Sequence, residues 1–370
     1  MFQRVERASA PTPAACRAAV DAAARDSTAV MLCIADQPGL DLEAIAAALS
    51  DASCAVIGGV FPALVSGGAR FTTGALAFGF SAASRRAILQ NTFEPSAVLT
   101  SILRSALDGP PTPKPPTLLM LVDGQAPGSA TCLLDAVRLP YLHLGATAIG
   151  GGAGYATASV RPCLFTEHGM LPRGGGVVLQ IDAPNSVAAE HGWIRMSGPH
   201  YANRSSQTTI DELDWRSASE VYVEAIGAPR GAFSPKWAAQ HPIAVLGVRE
   251  TTALRDPVAF TGTGGVYTLG HIPEHALVAI MRAEPLSLIG AAGAAARAAN
   301  GASESRVRRG LVFDCVSRHD ALAERFDEEL QRIQREFDQP IAGALTLGEI
   351  ASNGARGVEF HNKTVVVAAG

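Results

Sequence analysis

Three windows of this chain run through the same order of elements: strand, helix, strand, glycine-rich turn, strand. They begin at AVMLCIAD (29–36), TLLMLVDG (117–124) and GLVFDCVSR (310–318). Asp36 precedes Gly58 by 22 residues and Asp123 precedes Gly145 by 22, so the first two windows keep an offset of 87. Gly58 to Ala63, Gly145 to Gly150 and Gly343 to Gly348 are each five apart, and in the third window Asp314 lies 29 before Gly343. Each window closes on an apolar strand: GALAFGF (74–80), GGVVLQI (175–181) and NKTVVVAAG (362–370). A repeated unit of this size buries its apolar face only by stacking on its neighbours. The spacing predicts a layered α/β fold with mixed sheets, built from three related βαβ-turn-β units around a shared centre.

The boundaries follow. Residues 1–28 read as an N-terminal extension. Units one and two occupy 29–80 and 117–182, joined through a Pro-rich connector at 108–116. An inserted α+β region fills 183–309 and holds all three tryptophans; unit three takes 310–370. In unit three, Leu322, Phe326, Leu330, Ile333 and Phe337 recur on one face of a predicted helix over 320–337.

Composition removes several function classes. The charge is −4 with no basic block, which speaks against nucleic acid. No apolar run reaches the roughly 18 residues of a membrane helix. The opening MFQRVERASAPTPAAC has no apolar signal region. Six cysteines are scattered without CxxC or a Cys/His cluster, so reduced thiols, a cytoplasmic location and no metal site are expected. No CxxCH is present for covalent haem, and none of the nine histidines is singled out for a non-covalent one.

Candidate site residues concentrate in IAGALTLGEIASNGARGVEFHNKTV (341–365), where polar groups sit between strand signals and glycines. Glu349, after Gly348, is placed to bind a ligand amine or act as a general acid or base; a satisfied turn carboxylate is the plainer reading. Cys315 and Arg318 stand at a strand end before a helix, where an anion is favoured and Arg318 could clamp a carboxylate. Asn362 opens the last strand, with His361 pointing to the other face. Asp123 ends a strand, as Asp36 does. Gly150 and Gly151 permit close backbone approach. Arg255 and Arg195 lie beside strands and either reach a pocket or pair at the surface. There is no P-loop, no GxGxxG opening a helix and no GxSxG elbow.

The landmarks VIGG (56–59), VDG (122–124), AIGGGAG (148–154), LRDP (254–257), GHIPEHALV (270–278), FDCVSR (313–318), GALTLGEI (343–350) and FHNKT (360–364) resemble the FIST family over about residues 27–370. Ala63-Leu64 stand where the family's turn usually carries Gly-Glu. The resemblance implies a FIST N-like region at 29–182 and a FIST C-like region at 183–370. It implies a cytoplasmic sensor of a small polar metabolite, signalling through a separate partner protein, with room for a homodimer. A subset of the family resembles haem proteins that sense nitric oxide. The three-unit plan is also similar to cyanuric acid hydrolase and barbiturase, which hydrolyse cyclic amides with serine–lysine pairs. The three lysines here, Lys114, Lys236 and Lys363, cannot supply one pair per unit, so a hydrolase would use Cys315 or a Glu349-activated water. Three expectations follow: the units superimpose, Glu349 and Arg318 line one pocket, and Arg318→Ala abolishes binding while leaving the fold intact.

Overall fold

The computed structural model describes residues 2–109, 115–141, 145–183, 185–206, 208–229, 233–247, 250–302, 309–352 and 357–370. Lys114, His143 and most of the Pro-rich connector lie outside them. The first unit runs β1 (Arg4–Ala8), α1 (Pro13–Ala23), β2 (Ala29–Ala35), α2 (Leu42–Ala48), β3 (Ala55–Phe61), β4 (Leu64–Ser66), β5 (Ala69–Phe71), β6 (Ala75–Phe80). The second repeats it as β7 (Ala83–Leu89), α3 (Ser96–Leu107), β8 (Thr117–Asp123), α4 (Ser129–Tyr141), β9 (Thr147–Ala153), β10 (Leu164–Thr166), β11 (Gly169–Met170), β12 (Gly176–Ile181). The third opens with β13 (Ser186–Glu190). An insertion follows: β14 (Ile194–Ser206), β15 (Thr209–Leu213), β16 (Arg216–Ser217), α5 (Ala218–Ala225), α6 (Pro235–Gln240), β17 (Ile243–Gly247), β18 (Glu250–Phe260), β19 (Val266–Leu269), β20 (Leu277–Arg282). The unit resumes with α7 (Pro285–Gly301), β21 (Gly310–Cys315), α8 (Val316–Leu322), α9 (Phe326–Gln334), β22 (Ala342–Thr346), β23 (Glu349–Ser352), β24 (Val358–His361), β25 (Val365–Ala369).

Each unit is therefore larger than its sequence signature. A leading strand and helix come first: β1 and α1 (within the segment read as an extension), β7 and α3, β13 and α7. The three sheets have one plan: β1-β6-β2-β3-β10-β11, β7-β12-β8-β9-β23-β24 and β13-β25-β21-β22-β4-β5. In each, two parallel strands sit beside an antiparallel closing strand, as the repeat predicts. The last two strands of every sheet are a hairpin lent by another unit. The second unit's hairpin completes the first sheet, the third's completes the second, and the first's completes the third. Backbone pairing thus closes the ring, since each lent hairpin covers an edge that would otherwise be open.

The central strands are buried on both faces, which is why they read as continuous apolar runs. On β8, Leu119 and Leu121 point into a core shared by all three units, while Leu118, Met120 and Val122 meet α3 and α4. On β25, Val366 and Ala368 face the shared core, and Val365, Val367 and Ala369 face α7 and α9. The predicted helix over 320–337 does bury Leu322, Phe326, Leu330, Ile333 and Phe337, but it breaks at Ala323, whose φ is 49°.

Strand register corrects the landmark pairing. Leu32 pairs Gly58, Met120 pairs Gly150 and Val312 pairs Gly343. Gly150, not Gly145, is thus the partner of Gly58, because α4, with 13 residues, is longer than α2, with 7. By the same register Ala35, Asp123 and Cys315 are equivalent strand ends, and Asp36 lies one residue beyond.

The inserted α+β region carries helices α5 and α6 beside its strands, which run from β14 to β20. Its strands form a closed ring, β14-β20-β17-β18-β19-β15 and back to β14. Ala202, Ile210, Leu213, Tyr222, Ile243, Val266 and Ile280 belong to its separate core.

Candidate functional site

The C-terminal ends of parallel strands are where α/β folds open crevices. Here the ends of β8 and β21 meet the barrel around a cavity of about 710 Å³, in the size range of small-molecule pockets. One side is Asp123-Gly124 and the first turn of α4. The floor is Cys315, Val316 and Ser317 with the Leu347-Gly348 turn. The barrel contributes Asp256 from β18 and Tyr267 to His271 around the end of β19, and Asn362 closes the edge.

Gly348 makes that turn, with φ at 88°. A Cβ there would lie 2.2 Å from the Phe360 ring, so only glycine fits. Asp123 is 2% exposed and accepts from the N–H groups of Gln125 (3.0 Å) and Gly174 (2.9 Å). Asn362 donates to the carbonyls of Leu269 (2.9 Å) and Leu254 (3.3 Å), tying the third unit to the barrel. Asp256 accepts from Ser317 Oγ at 3.2 Å and pairs with Lys363 Nζ at 2.7 Å. Lys363 is fully buried and also donates to Ala239 O at 2.9 Å.

Glu349 lies behind this wall, fully buried. Its carboxyl meets Thr346 Oγ1 at 2.9 Å, the Thr364 N–H at 3.4 Å and the Cys315 thiol. Thr346 Oγ1 also lies 3.3 Å from Asp314 O, which can only accept. If the Thr346 proton goes to that carbonyl, Glu349 must donate to Thr346. Burial agrees, pushing the Glu349 pKa well above the usual carboxylate range. Burial pushes the Cys315 thiol up as well. A neutral acid beside a neutral thiol supplies neither general base nor thiolate, which weakens the nucleophilic reading of this pair.

One test of this protonation state is Glu349→Gln. A carboxyl held neutral in the fold keeps a proton that the unfolded chain releases near 4.5. Its contribution is complete below that value and fades as pH rises toward the folded-state pKa. Between those limits wild type should lose up to about 1.4 kcal/mol per pH unit relative to the variant. Urea denaturation of both proteins from pH 5 to 9 measures it. Parallel curves would mean that Glu349 is ionised throughout.

Of the residues expected from sequence, the cavity brings together Cys315, Asp123, Asn362 and Gly348, with Glu349 behind Cys315. Arg318 does not join them. It is fully buried, donates to Glu329 at 2.9 and 2.6 Å, lies 3.4 Å from Asp314, and reaches the carbonyls of His191, Lys363 and Leu288. Strand ends that are neighbours need not aim their next side chains together: Arg318, one turn into α8, points into the α7–α9 layer. Gly150 and Gly151 lie inside β9, packed on Met120 O and on Thr346 and Gly348. Arg255 donates to His271 O at 3.0 Å beside a smaller cavity of about 360 Å³, and burial lowers its pKa to about 10. Arg195 is an exposed residue on β14. Among the described histidines only His271 borders the larger cavity.

Sequence reasoning did not select Asp256, Lys363, Ser317 or the Tyr267–His271 stretch. Asp256 and Lys363 do stand within the LRDP and FHNKT landmarks. An acid and a base 107 residues apart, at 256 and 363, give no sign in sequence that they will pair.

Two family models match the chain. The FIST N domain covers residues 29–216 and the FIST C domain covers 218–352. They meet at β16, inside the barrel, whereas the sequence reading divided the regions at 182. A comparison with curated proteins finds no match. No helix among the described residues is long and apolar enough to cross a membrane. Together the two matches span most of the chain, which belongs to the FIST family, a family associated with small-ligand sensing in signalling proteins.

Proposed function

We propose that this chain is a cytoplasmic receptor for a small metabolite bearing hydrogen-bonding groups, held in the cavity between the second unit, the third unit and the barrel, and that it signals through a separate partner protein. The observation that carries this reading is the shared ownership of the cavity. Asp123, Ser317, Asn362 and Asp256 reach it from three separately packed pieces of the fold. A ligand touching all three is bound best when they are closed together, and so shifts the balance between closed and loosened arrangements.

Thr131, exposed on the first turn of α4, lines the opening, and Thr131→Trp should fill it without disturbing a core. Thermal denaturation of the full chain against amino acids, small amides and dicarboxylates tests the idea. A ligand at a hundredfold excess over its Kd stabilises by about 2.7 kcal/mol. That stabilisation should vanish in the variant. A shift that survives Thr131→Trp would move binding elsewhere. A Soret band in the freshly purified protein would redirect the reading to haem.

A further inference from the structure

Outside the lining of that cavity, the barrel carries an ordered chain of three side chains. Ser197 Oγ lies 2.9 Å from His200 Nε2, and His200 Nδ1 lies 2.7 Å from Asp214 Oδ2. A carboxylate can only accept, so Nδ1 carries a proton. Nε2 is then free to accept the Ser197 hydroxyl proton. Asp214 is held in turn by the Tyr201 N–H on its other oxygen, at 2.8 Å. Burial works to raise the Asp214 pKa, but the Tyr201 and His200 hydrogen bonds outweigh it and the net effect is a lowering, which keeps the group ionised.

A regular strand could not make this arrangement. Residues three apart point to opposite faces. β14 breaks register against β20 between Arg195 and Ser197 and again between Ser197 and His200, and these bulges turn the hydroxyl toward the ring. The Asp214-Trp215 turn puts two non-glycine residues in the left-handed region, with φ 50° and 59°. Such backbone persists where surrounding contacts dictate it. Ser197 is reachable: Met196, Gly198 and Pro199 beside it are exposed. Trp215, next after Asp214, is 77% exposed and packs on Tyr201 at 5.8 Å, which stacks on His275.

We propose that Ser197, His200 and Asp214 form a second site, with nucleophile, base and orienting carboxylate in the roles of an acyl-transfer triad. Its substrate would be a carboxylic ester with an aromatic or apolar acyl group that packs on the Trp215 ledge. Ser197 Oγ attacks the carbonyl carbon while His200 Nε2 takes the hydroxyl proton. The alcohol leaves with that proton, and the acyl group remains on Ser197. Water then attacks, gives one proton to Nε2, and the acid departs as the Ser197 hydroxyl is restored.

The test uses the full chain with a fluorophosphonate probe, mapped by peptide mass spectrometry, together with p-nitrophenyl butyrate hydrolysis. The expected result is an adduct on Ser197 that heat-denatured protein does not form. Ser197→Ala and His200→Ala should lower turnover at least about 100-fold, and Asp214→Asn should lower it while leaving the chain folded by circular dichroism. No adduct on Ser197, or turnover retained in Ser197→Ala, overturns the proposal. A lowered melting temperature in Ser197→Ala with no turnover in wild type overturns it too, and leaves the triad as a brace for the bulged strand.

Discussion

Arg318→Ala is expected to leave little folded protein, with a loss of about 3–5 kcal/mol. The guanidinium is fully buried and spends its donors on Glu329 and on the carbonyls of His191, Leu288 and Lys363. Those carbonyls belong to the start of the insertion, to α7 and to the last turn of the third unit. Alanine would strip a buried charge from Glu329 and orphan acceptors in three elements at once. Chemical denaturation and soluble yield report the effect. Asp314, which burial and the Glu329 charge push well above the usual carboxylate range, is a neutral neighbour rather than a second counter-charge. Replacing Arg318 and Glu329 together by methionine and leucine should therefore recover part of the loss. An Arg318→Ala protein as stable as wild type would return this residue to the role expected from sequence, a ligand clamp on an intact fold.

Gly150→Ala and Gly343→Ala should each cost about 3 kcal/mol or more, at or above the upper end for overpacking. A Cβ on Gly150 would lie 1.8 Å from Met120 O, and one on Gly343 would lie 1.8 Å from Val312 O. The obstacle is the backbone of the neighbouring parallel strand, which cannot rotate away. Gly290→Ala is the contrast. That position is exposed on α7 with nothing within 4 Å of the added methyl, and the change should stabilise by about 0.5–1 kcal/mol through helix propensity. Thermal or urea unfolding of the three variants checks all of it. If Gly150→Ala unfolds like wild type but binds no ligand, Gly150 belongs to a binding site and not to sheet packing.

Much of the architecture was legible from local pattern. Strands such as 29–35, 117–123 and 365–369 are buried on both faces, so they are apolar throughout and announce themselves. The 3.6-residue spacing of Leu322, Phe326, Leu330, Ile333 and Phe337 marked the face that covers the third sheet, because burial repeats with the helix. Cys315, Asp123, Gly348 and Asn362 could be picked out because strand ends and glycine turns are set by residues near them in the chain.

The rest depended on pairings between distant segments. Leu64-Val65-Ser66 lie within the first unit, yet their hydrogen bonds go to Ala342–Ala344 of the third. Backbone donors carry no label for their partner, so a hairpin's destination is chosen by which edge is left open. The same holds for β14, which pairs with β20 on one side and β15 on the other to close the barrel. Charges obey the same rule. Arg318 and Lys363 each sit beside candidate ligand groups in sequence. Their partners, Glu329 on α9 and Asp256 on β18, are fixed only when helix and barrel pack against the third sheet. The sequence by itself determined the repeat, its buried strands and the strand ends that could hold a site. Tertiary packing alone decided which of those ends share a cavity and which charges are consumed in holding the fold, because desolvation and ion pairing depend on neighbours brought from far along the chain.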